Sequence, residues 1–240
     1  VTGRRAVVWG ASGGIGAALI DALVSSGNYA AVYAGSRRAV TTEGDVVRPF
    51  AFDLREESSI EAAAKSVIGD GSIDLVLVTT GMLHSARHQP EKQFAAITSE
   101  GMLDAFRINA LGPALIAKHM IAGLPRERRS VFAALSARVG SIGDNRLGGW
   151  HSYRASKAAL NMIIANLAIE LGRTHPRAIA VGLHPGTVDT PLSRPFHRPV
   201  PSSQLFAPEM SASHLLSVVE NLSVDVSGSV LAWNGEAIAP

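Results

Sequence analysis

Apolar residues recur in this chain with two periods that alternate along its length. Short runs rich in Val, Ile, Leu and Ala cover Arg5–Trp9, Ala30–Ser36, Val47–Phe52, Asp74–Thr79, Ser130–Leu135, Ala178–His184 and Ser229–Trp233. Such runs predict β-strands, and apolar residues at odd and even positions alike suit strands buried on both faces. Between them the period lengthens to three or four residues, over Ile15–Ser26, Ser58–Ile68, Gly101–Ala122, Ser152–Arg173 and near Pro208–Asn221, which predicts helices. Strands and helices in alternation predict an α/β protein with one doubly wound parallel sheet of about seven strands and helices on both faces. Ligands bind such sheets beyond the carboxyl ends of the strands, so chemistry is sought just after each strand.

Composition narrows the function classes. The 240 residues read as a single domain, 1–240, with no repeat or linker. Hydrophobic residues make up 47% and charged residues 18%, which predicts a sizeable core rather than a disordered chain. No apolar run reaches the roughly 18 residues that span a bilayer, so no membrane partner is expected. No leader pattern precedes the first strand, and there are no cysteines. A cytoplasmic protein without disulfides or cysteine-based metal sites is the expectation. Net charge is +2 and the basic residues are scattered, which argues against a nucleic-acid partner. The one basic cluster, Arg126, Arg128 and Arg129, lies in a helix-to-strand connection and is expected to be solvated. His84 and His88 have metal-pair spacing but no third ligand nearby, and no metal is expected.

After the first strand come Gly10, Ala11, Ser12, Gly13, Gly14, Ile15 and Gly16, leading directly into an amphipathic helix. Glycines there let the backbone turn tightly against a pyrophosphate, and the helix N-terminus offers free N–H groups and a positive dipole end. This predicts a Rossmann-type dinucleotide site. The second strand ends in Ser36, Arg37 and Arg38 with no carboxylate. An acidic residue there would bind the ribose hydroxyls of NAD, whereas guanidinium groups suit a 2′-phosphate. NADP(H) is therefore expected in preference to NAD(H).

The helix beginning near Ser152 carries Tyr153 and Lys157, four residues apart and so on one face. A free phenol has a pKa of about 10. An ammonium within ~4 Å stabilises the phenolate by up to about 4 kcal/mol at an effective dielectric near 20, which brings proton transfer toward neutral pH.

The Gly10–Gly16 spacing, G-x-x-x-G-x-G, and the run from Tyr153 through Ala155, Ser156, Lys157, Ala158 and Ala159 resemble the short-chain dehydrogenases/reductases. His184 to Thr190, with Pro185, Gly186, Val188 and Thr190, is similar to that family's P-G-x-V-x-T segment. Ser136–Ile142, Asp144 and Asn145, Gly148 and Gly149, and Trp233–Glu236 look like the branch related to the bacterial C-factor signalling protein. The resemblance covers nearly the whole chain.

It implies an oxidoreductase moving hydride between NADP(H) and a small carbonyl or alcohol. Tyr153 would be general acid/base, and Lys157 would lower its pKa and hold the nicotinamide ribose. Asn109 would keep a relay water near Lys157. Arg37 would be the principal 2′-phosphate contact, supported by Ser36 and Arg38. Asp53, followed by Leu54, would meet the adenine, or else form a helix-preceding turn. Thr80 and Gly81 stand where the family has N-N-A-G and would support the cofactor. Pro185, Gly186, Thr187, Val188 and Thr190 would hold the carboxamide.

Two departures stand out. Trp9 replaces the threonine that normally ties down the glycine turn, so that support must come from elsewhere. Counting back from Gly140 puts Ala137 where the family's catalytic serine stands, leaving Ser136 as the candidate hydroxyl and Ser141 as the second. These departures keep open a non-catalytic nucleotide-binding signalling or scaffold protein on the same fold. The segment 191–208, rich in Pro and Ser, is expected to be a substrate lid. By analogy the two long helices would form a homodimer or homotetramer.

Overall fold

A computed structural model describes residues 3–38, 45–198 and 201–240. Its strands are β1 (Arg4–Trp9), β2 (Tyr29–Ser36), β3 (Val47–Ala51), β4 (Leu75–Val78), β5 (Ser130–Leu135), β6 (Ala178–His184), β7 (Thr187–Val188), β8 (Leu205–Phe206), β9 (Val230–Ala232) and β10 (Ala237–Ile238). Eight of them form one sheet in the order β10-β9-β6-β5-β4-β1-β2-β3, while β7 and β8 pair with each other. The seven strands read from the sequence are all parallel. The eighth, β10, is an antiparallel edge whose two residues are too short to show a period.

The helices are α1 (Gly14–Ser25), α2 (Glu57–Gly69), α3 (Ser99–Phe106), α4 (Gly112–Met120), α5 (His151–Thr174) and α6 (Pro208–Glu220). Alternate residues of each central strand feed two cores. Val7, Trp9, Val76, Val78, Phe132 and Ala134 face the layer of α2, α4 and α5. Ala6, Val8, Leu75, Leu77, Val131 and Ala133 face α1 and α6. This is why the strands read as unbroken apolar runs.

The helix expected over Gly101–Ala122 is interrupted. Residues Arg107–Leu111 form a π-helical turn, and the Gly112 N–H donates to Arg107 O, five residues back. One inserted residue is invisible to a period of 3.6, and such bulges re-aim the side chains around them. The basic cluster is exposed at Arg126 and Arg128, as expected, and also makes ties within the fold. Arg128 Nε donates to Asp74 Oδ1 at 2.8 Å, and Arg129 Nη2 donates to carbonyls at the end of α6, including Leu222 O at 3.3 Å. These arginines tie elements together rather than facing solvent alone.

The chain leaves β1 toward β2 on one side and returns to β4 on the other. That reversal opens a crevice at the carboxyl ends of β1 and β4. No helix among the described residues is long and apolar enough to cross a membrane.

Candidate active site

The glycine turn occupies the crevice. Gly10 has φ +110°, a conformation costly for any residue with a side chain. Its N–H and that of Ala11 donate to Gly35 O at 2.9 and 2.8 Å, and the Gly13 N–H donates to Gly10 O at 3.0 Å. A Cβ on Gly16 would lie 2.2 Å from Gly10 O, so α1 crosses the turn more closely than any side chain allows. Ser12 and Gly13 are exposed at its mouth, with Gly14 and Ile15 partly so. The tie that Trp9 does not supply comes from the residue after β4: Thr79 Oγ1 lies 3.0 Å from Trp9 O and 3.2 Å from Gly10 O, within donating range of both. Trp9 itself is fully buried and packs edge-on against Phe50 and Phe52, with centroids at 5.0 and 4.8 Å. A backbone cradle with no side-chain filling, at the positive end of α1, fits a dinucleotide phosphate.

At the end of β2, Arg37 and Arg38 are exposed, while Ser36 is buried and its hydroxyl donates to Arg38 O. Ser36 therefore shapes the arginine turn. Asp53 is exposed, and its Oδ1 accepts from the Arg55 N–H at 2.9 Å, as in a turn leading to α2. Leu54 is buried and packs on Gly112.

Tyr153 and Lys157 share one face of α5. Lys157 Nζ lies 5.8 Å from the centroid of the Tyr153 ring and donates to Leu135 O at 2.7 Å. Burial pushes the Lys157 ammonium down to about 8. Burial also pushes the Tyr153 phenol up to about 12, opposite to the lowering that the spacing implied. At 5.8 Å, with its charge engaged by a carbonyl, the ammonium does not offset the loss of solvent around the phenol. Gly81 opens this corner, since a Cβ there would lie 3.9 Å from Lys157 Nζ and 3.7 Å from Asn109 Oδ1. Thr80 Oγ1 beside it is buried without a partner among the described residues.

Asn109, fully buried in the π turn, has its whole amide engaged. It accepts from the Met82 N–H at 2.8 Å and donates to Met82 O at 2.8 Å and to Ser156 Oγ at 3.0 Å. Its side chain fastens the segment after β4 to α5.

The serine candidates are turned away from Tyr153. Ser136 is 3% exposed and donates to Asn161 Oδ1 at 2.6 Å, eight residues along α5 and so about 12 Å along its axis. Ser141 is 2% exposed, accepts from the Asp144 N–H at 3.0 Å and lies 3.4 Å from Pro240 O. Strand alternation decides this: Ser136 continues the series of Phe132 and Ala134 toward the α5 side. Ala137, in extended conformation and partly exposed, occupies the next position.

The segment after β6 abuts the glycine turn. Thr190 Cγ2 lies 2.9 Å from where a Gly14 Cβ would be. Gly186 has φ +79°, with Pro185 and Thr187 partly exposed and Val188 buried. Burial and the Arg138 cation push His184 down to about 4, which keeps its imidazole neutral. Of segment 191–208, Pro199 and Val200 lie outside the described residues. Phe196 packs on Trp150 and His84, at 5.1 and 5.8 Å between centroids, and Trp150 in turn lies 6.3 Å from Tyr153.

Three contributors escaped sequence reasoning: Thr79, Trp150 and Glu91. Glu91 is buried against the first turn of α5. Trp9 signalled a missing tie, and the adjacent Gly148 and Gly149 are residue types that suit the left-handed turn seen before α5, but nothing local named the partner.

Comparison with known proteins agrees with this architecture. The chain is 34% identical over 138 residues to C-signal of Myxococcus xanthus, which covers 57% of the chain and 77% of that protein. It is 32% identical over 177 residues to 1-hydroxy-2-glutathionyl-2-methyl-3-butene dehydrogenase of Rhodococcus sp. (strain AD45), covering 73% of each. The structure of NADPH-bound carbonyl reductase from chicken fatty liver superposes with a TM-score of 0.85 at 23% identity, covering 100% of this chain and 95% of that one, and so shares the fold. Residues 4–200 match the family model described as short chain dehydrogenase. On that match and these relatives, the chain belongs to the short-chain dehydrogenase/reductase family.

Proposed function

We propose that the protein is an NADP(H)-dependent reductase or dehydrogenase acting on a small carbonyl or alcohol substrate. The observation that carries this reading is the pairing of Tyr153 and Lys157 on one face of α5, at the crevice that also holds the glycine turn. NADPH would supply the hydride. Gly10–Gly16, with the N-terminus of α1, would hold the pyrophosphate. Arg37 and Arg38 would hold the 2′-phosphate, on a turn shaped by Ser36, and Asp53 and Leu54 would flank the adenine. Thr80, Gly81 and the segment of Pro185, Gly186, Thr187, Val188 and Thr190 would line the nicotinamide end.

In reduction Tyr153 gives its proton to the substrate oxygen, and in oxidation it takes that proton back. Burial keeps the phenol protonated at neutral pH, the form that donates, but makes it a weaker acid than a free phenol, so its donation depends on a cation moving closer. Lys157, which donates to Leu135 O at 2.7 Å, would shift toward the cofactor ribose and bias the phenol. Asn109 would act by holding the Met82 backbone and Ser156 in place. With Ser136 and Ser141 engaged elsewhere, Tyr153 is the group that would donate to the substrate oxygen. Residues 191–208 would act as a lid that brings Phe196 against Trp150. The exposed apolar side chains Leu103 and Leu111, and Met162 and Ile169 on α5, would form the contact of a homo-oligomer.

The test is titration of purified protein with NADPH and NADH, followed by turnover on a panel of aldehydes and ketones. Tyr153→Phe is expected to abolish turnover and to leave NADPH binding within about twofold, since the phenol contributes little to ground-state cofactor affinity. Tight NADPH binding with no turnover of any carbonyl would instead support a nucleotide-binding scaffold, the reading favoured by Ala137.

A further inference from the structure

The first turn of the catalytic helix is held in an unusual way. Gly148, Gly149 and Trp150 have φ of +61°, +64° and +50°, three left-handed residues in succession. Trp150 stands at the N-cap of α5, with φ 50° and ψ 43°, and its side chain provides no cap. A bulky residue in this region persists only where its surroundings over-determine it. The helix also begins with N–H groups that have no intrahelical acceptor.

Both needs are met by Glu91, from the loop that follows β4. Its backbone carbonyl accepts from the Trp150 N–H at 2.5 Å. Its carboxylate Oε2 accepts from the Ser152 N–H at 3.1 Å, and Oε1 accepts from the Ser152 hydroxyl. Glu91 is 8% exposed. Burial works to raise its carboxyl, but the Ser152 hydroxyl and backbone N–H groups outweigh it and hold the group below the ordinary glutamate range. A buried anion at a helix N-terminus also gains from the helix dipole.

The other end of this loop is fastened to the same helix. Asn109 grips Met82 through both backbone groups and donates to Ser156. Tyr153 thus lies between two anchors, Ser152 and Ser156, through which the loop of residues 82–91 is tied to α5. Together with Tyr153 and Ser152, this loop lines a cavity of about 120 Å³.

We propose that Glu91 is a positioning residue for Tyr153, clamping the left-handed turn and the first turn of α5 so that phenol and Trp150 face the substrate from one fixed geometry. The inference rests on the reading of Tyr153 as the proton donor. A displacement of the helix start moves the phenol relative to the substrate carbon while leaving the glycine turn untouched.

The test uses Glu91→Ala, Glu91→Gln and Ser152→Ala in the full chain, with NADPH and a carbonyl substrate turned over by the wild type. Glu91→Ala is expected to lower kcat by about tenfold or more with NADPH Kd within about twofold, because ångström-scale misplacement acts on the chemical step. Glu91→Gln is expected to stay within about threefold of wild type, since an amide can accept from the Ser152 N–H and donate to its hydroxyl. Ser152→Ala removes one bond, gives a smaller fall in kcat, and serves if Glu91→Ala does not fold. Amide exchange of Ser152, whose N–H donates to the Glu91 carboxylate, is expected to speed by about tenfold or more in Glu91→Ala, with the rest of α5 unchanged.

Unchanged kcat with the Ser152 amide still protected would overturn the proposal. So would kcat and NADPH affinity falling together in every variant, since that marks general loss of structure. If the wild type reduces no carbonyl, the reading of Tyr153 fails separately. The amide exchange then decides the clamp by itself: protection surviving in Glu91→Ala overturns it, and protection lost there supports it.

Discussion

Replacing Gly16 by alanine sets two effects of opposite sign against each other. Gly16 lies inside α1, where alanine gains about 1 kcal/mol over glycine in helix propensity. The new Cβ, however, would sit 2.2 Å from Gly10 O and 2.9 Å from Gly10 C. Both are backbone atoms, so no rotamer change relieves the clash, and the turn must open by about 1 Å to restore ordinary contact. Overpacking of this kind costs about 1–3 kcal/mol. Gly10 O also accepts from the Gly13 N–H at 3.0 Å and lies within reach of Thr79 Oγ1. Moving it weakens those bonds, at about 1 kcal/mol each. The clash therefore outweighs propensity, and Gly16→Ala is expected to destabilise the protein by about 1–3 kcal/mol. Because the displaced atoms form the phosphate cradle, NADPH affinity is expected to fall at least about tenfold, or about 1.4 kcal/mol. Gly13→Ala is the control for stability alone, since its Cβ would meet Gly10 O at an ordinary 3.4 Å but would stand at the mouth of the cradle. Fluorescence titration with NADPH and thermal denaturation of both variants make the measurement. Wild-type affinity and melting temperature in Gly16→Ala would refute the argument that close helix–turn contact builds the cradle.

Ala137→Ser returns a hydroxyl to the position where the family's serine stands, and kcat is expected to rise by about tenfold or more, within the range found for single oxyanion donors; an unchanged kcat would mean that another group already serves the substrate oxygen. Replacing Arg37 and Arg38 together by alanine is expected to weaken NADPH by about tenfold or more while leaving NADH little changed, because only the former carries the 2′-phosphate. Equal effects on both coenzymes, measured by the same titration, would remove these arginines from phosphate recognition. Lys157 gives a pH dependence. Its folded pKa of about 8 lies below the ordinary 10.5, so between these values the unfolded chain holds a proton that the folded protein lacks. Stability is therefore expected to rise from pH 8 to about 9.5, by at most about 2 kcal/mol, above which the Tyr153 phenol, held at about 12, works in the opposite direction. Melting curves across that range should show the rise in the wild type and a flatter profile in Lys157→Met.

Much of this protein is local information. The parallel strands follow from apolar runs whose two faces each meet a helix layer, and β5 and β6 have the bounds that their patterns predict. The glycine turn and the Tyr153–Lys157 pair are equally local, because backbone freedom and a spacing of four are properties of a few adjacent residues. What the tertiary structure decided are partners brought from far along the chain. Thr79, the residue after β4, ties the turn after Trp9, from 70 residues away. Strand alternation and Asn161 turn the Ser136 hydroxyl from the crevice, leaving Ala137 at its edge. A π turn aims Asn109 at Met82 and Ser156, and Glu91 caps a helix that begins 60 residues later. Periodicity records which face of an element is apolar. It does not record which distant polar group will satisfy a buried hydrogen bond, and only the packed chain makes that choice.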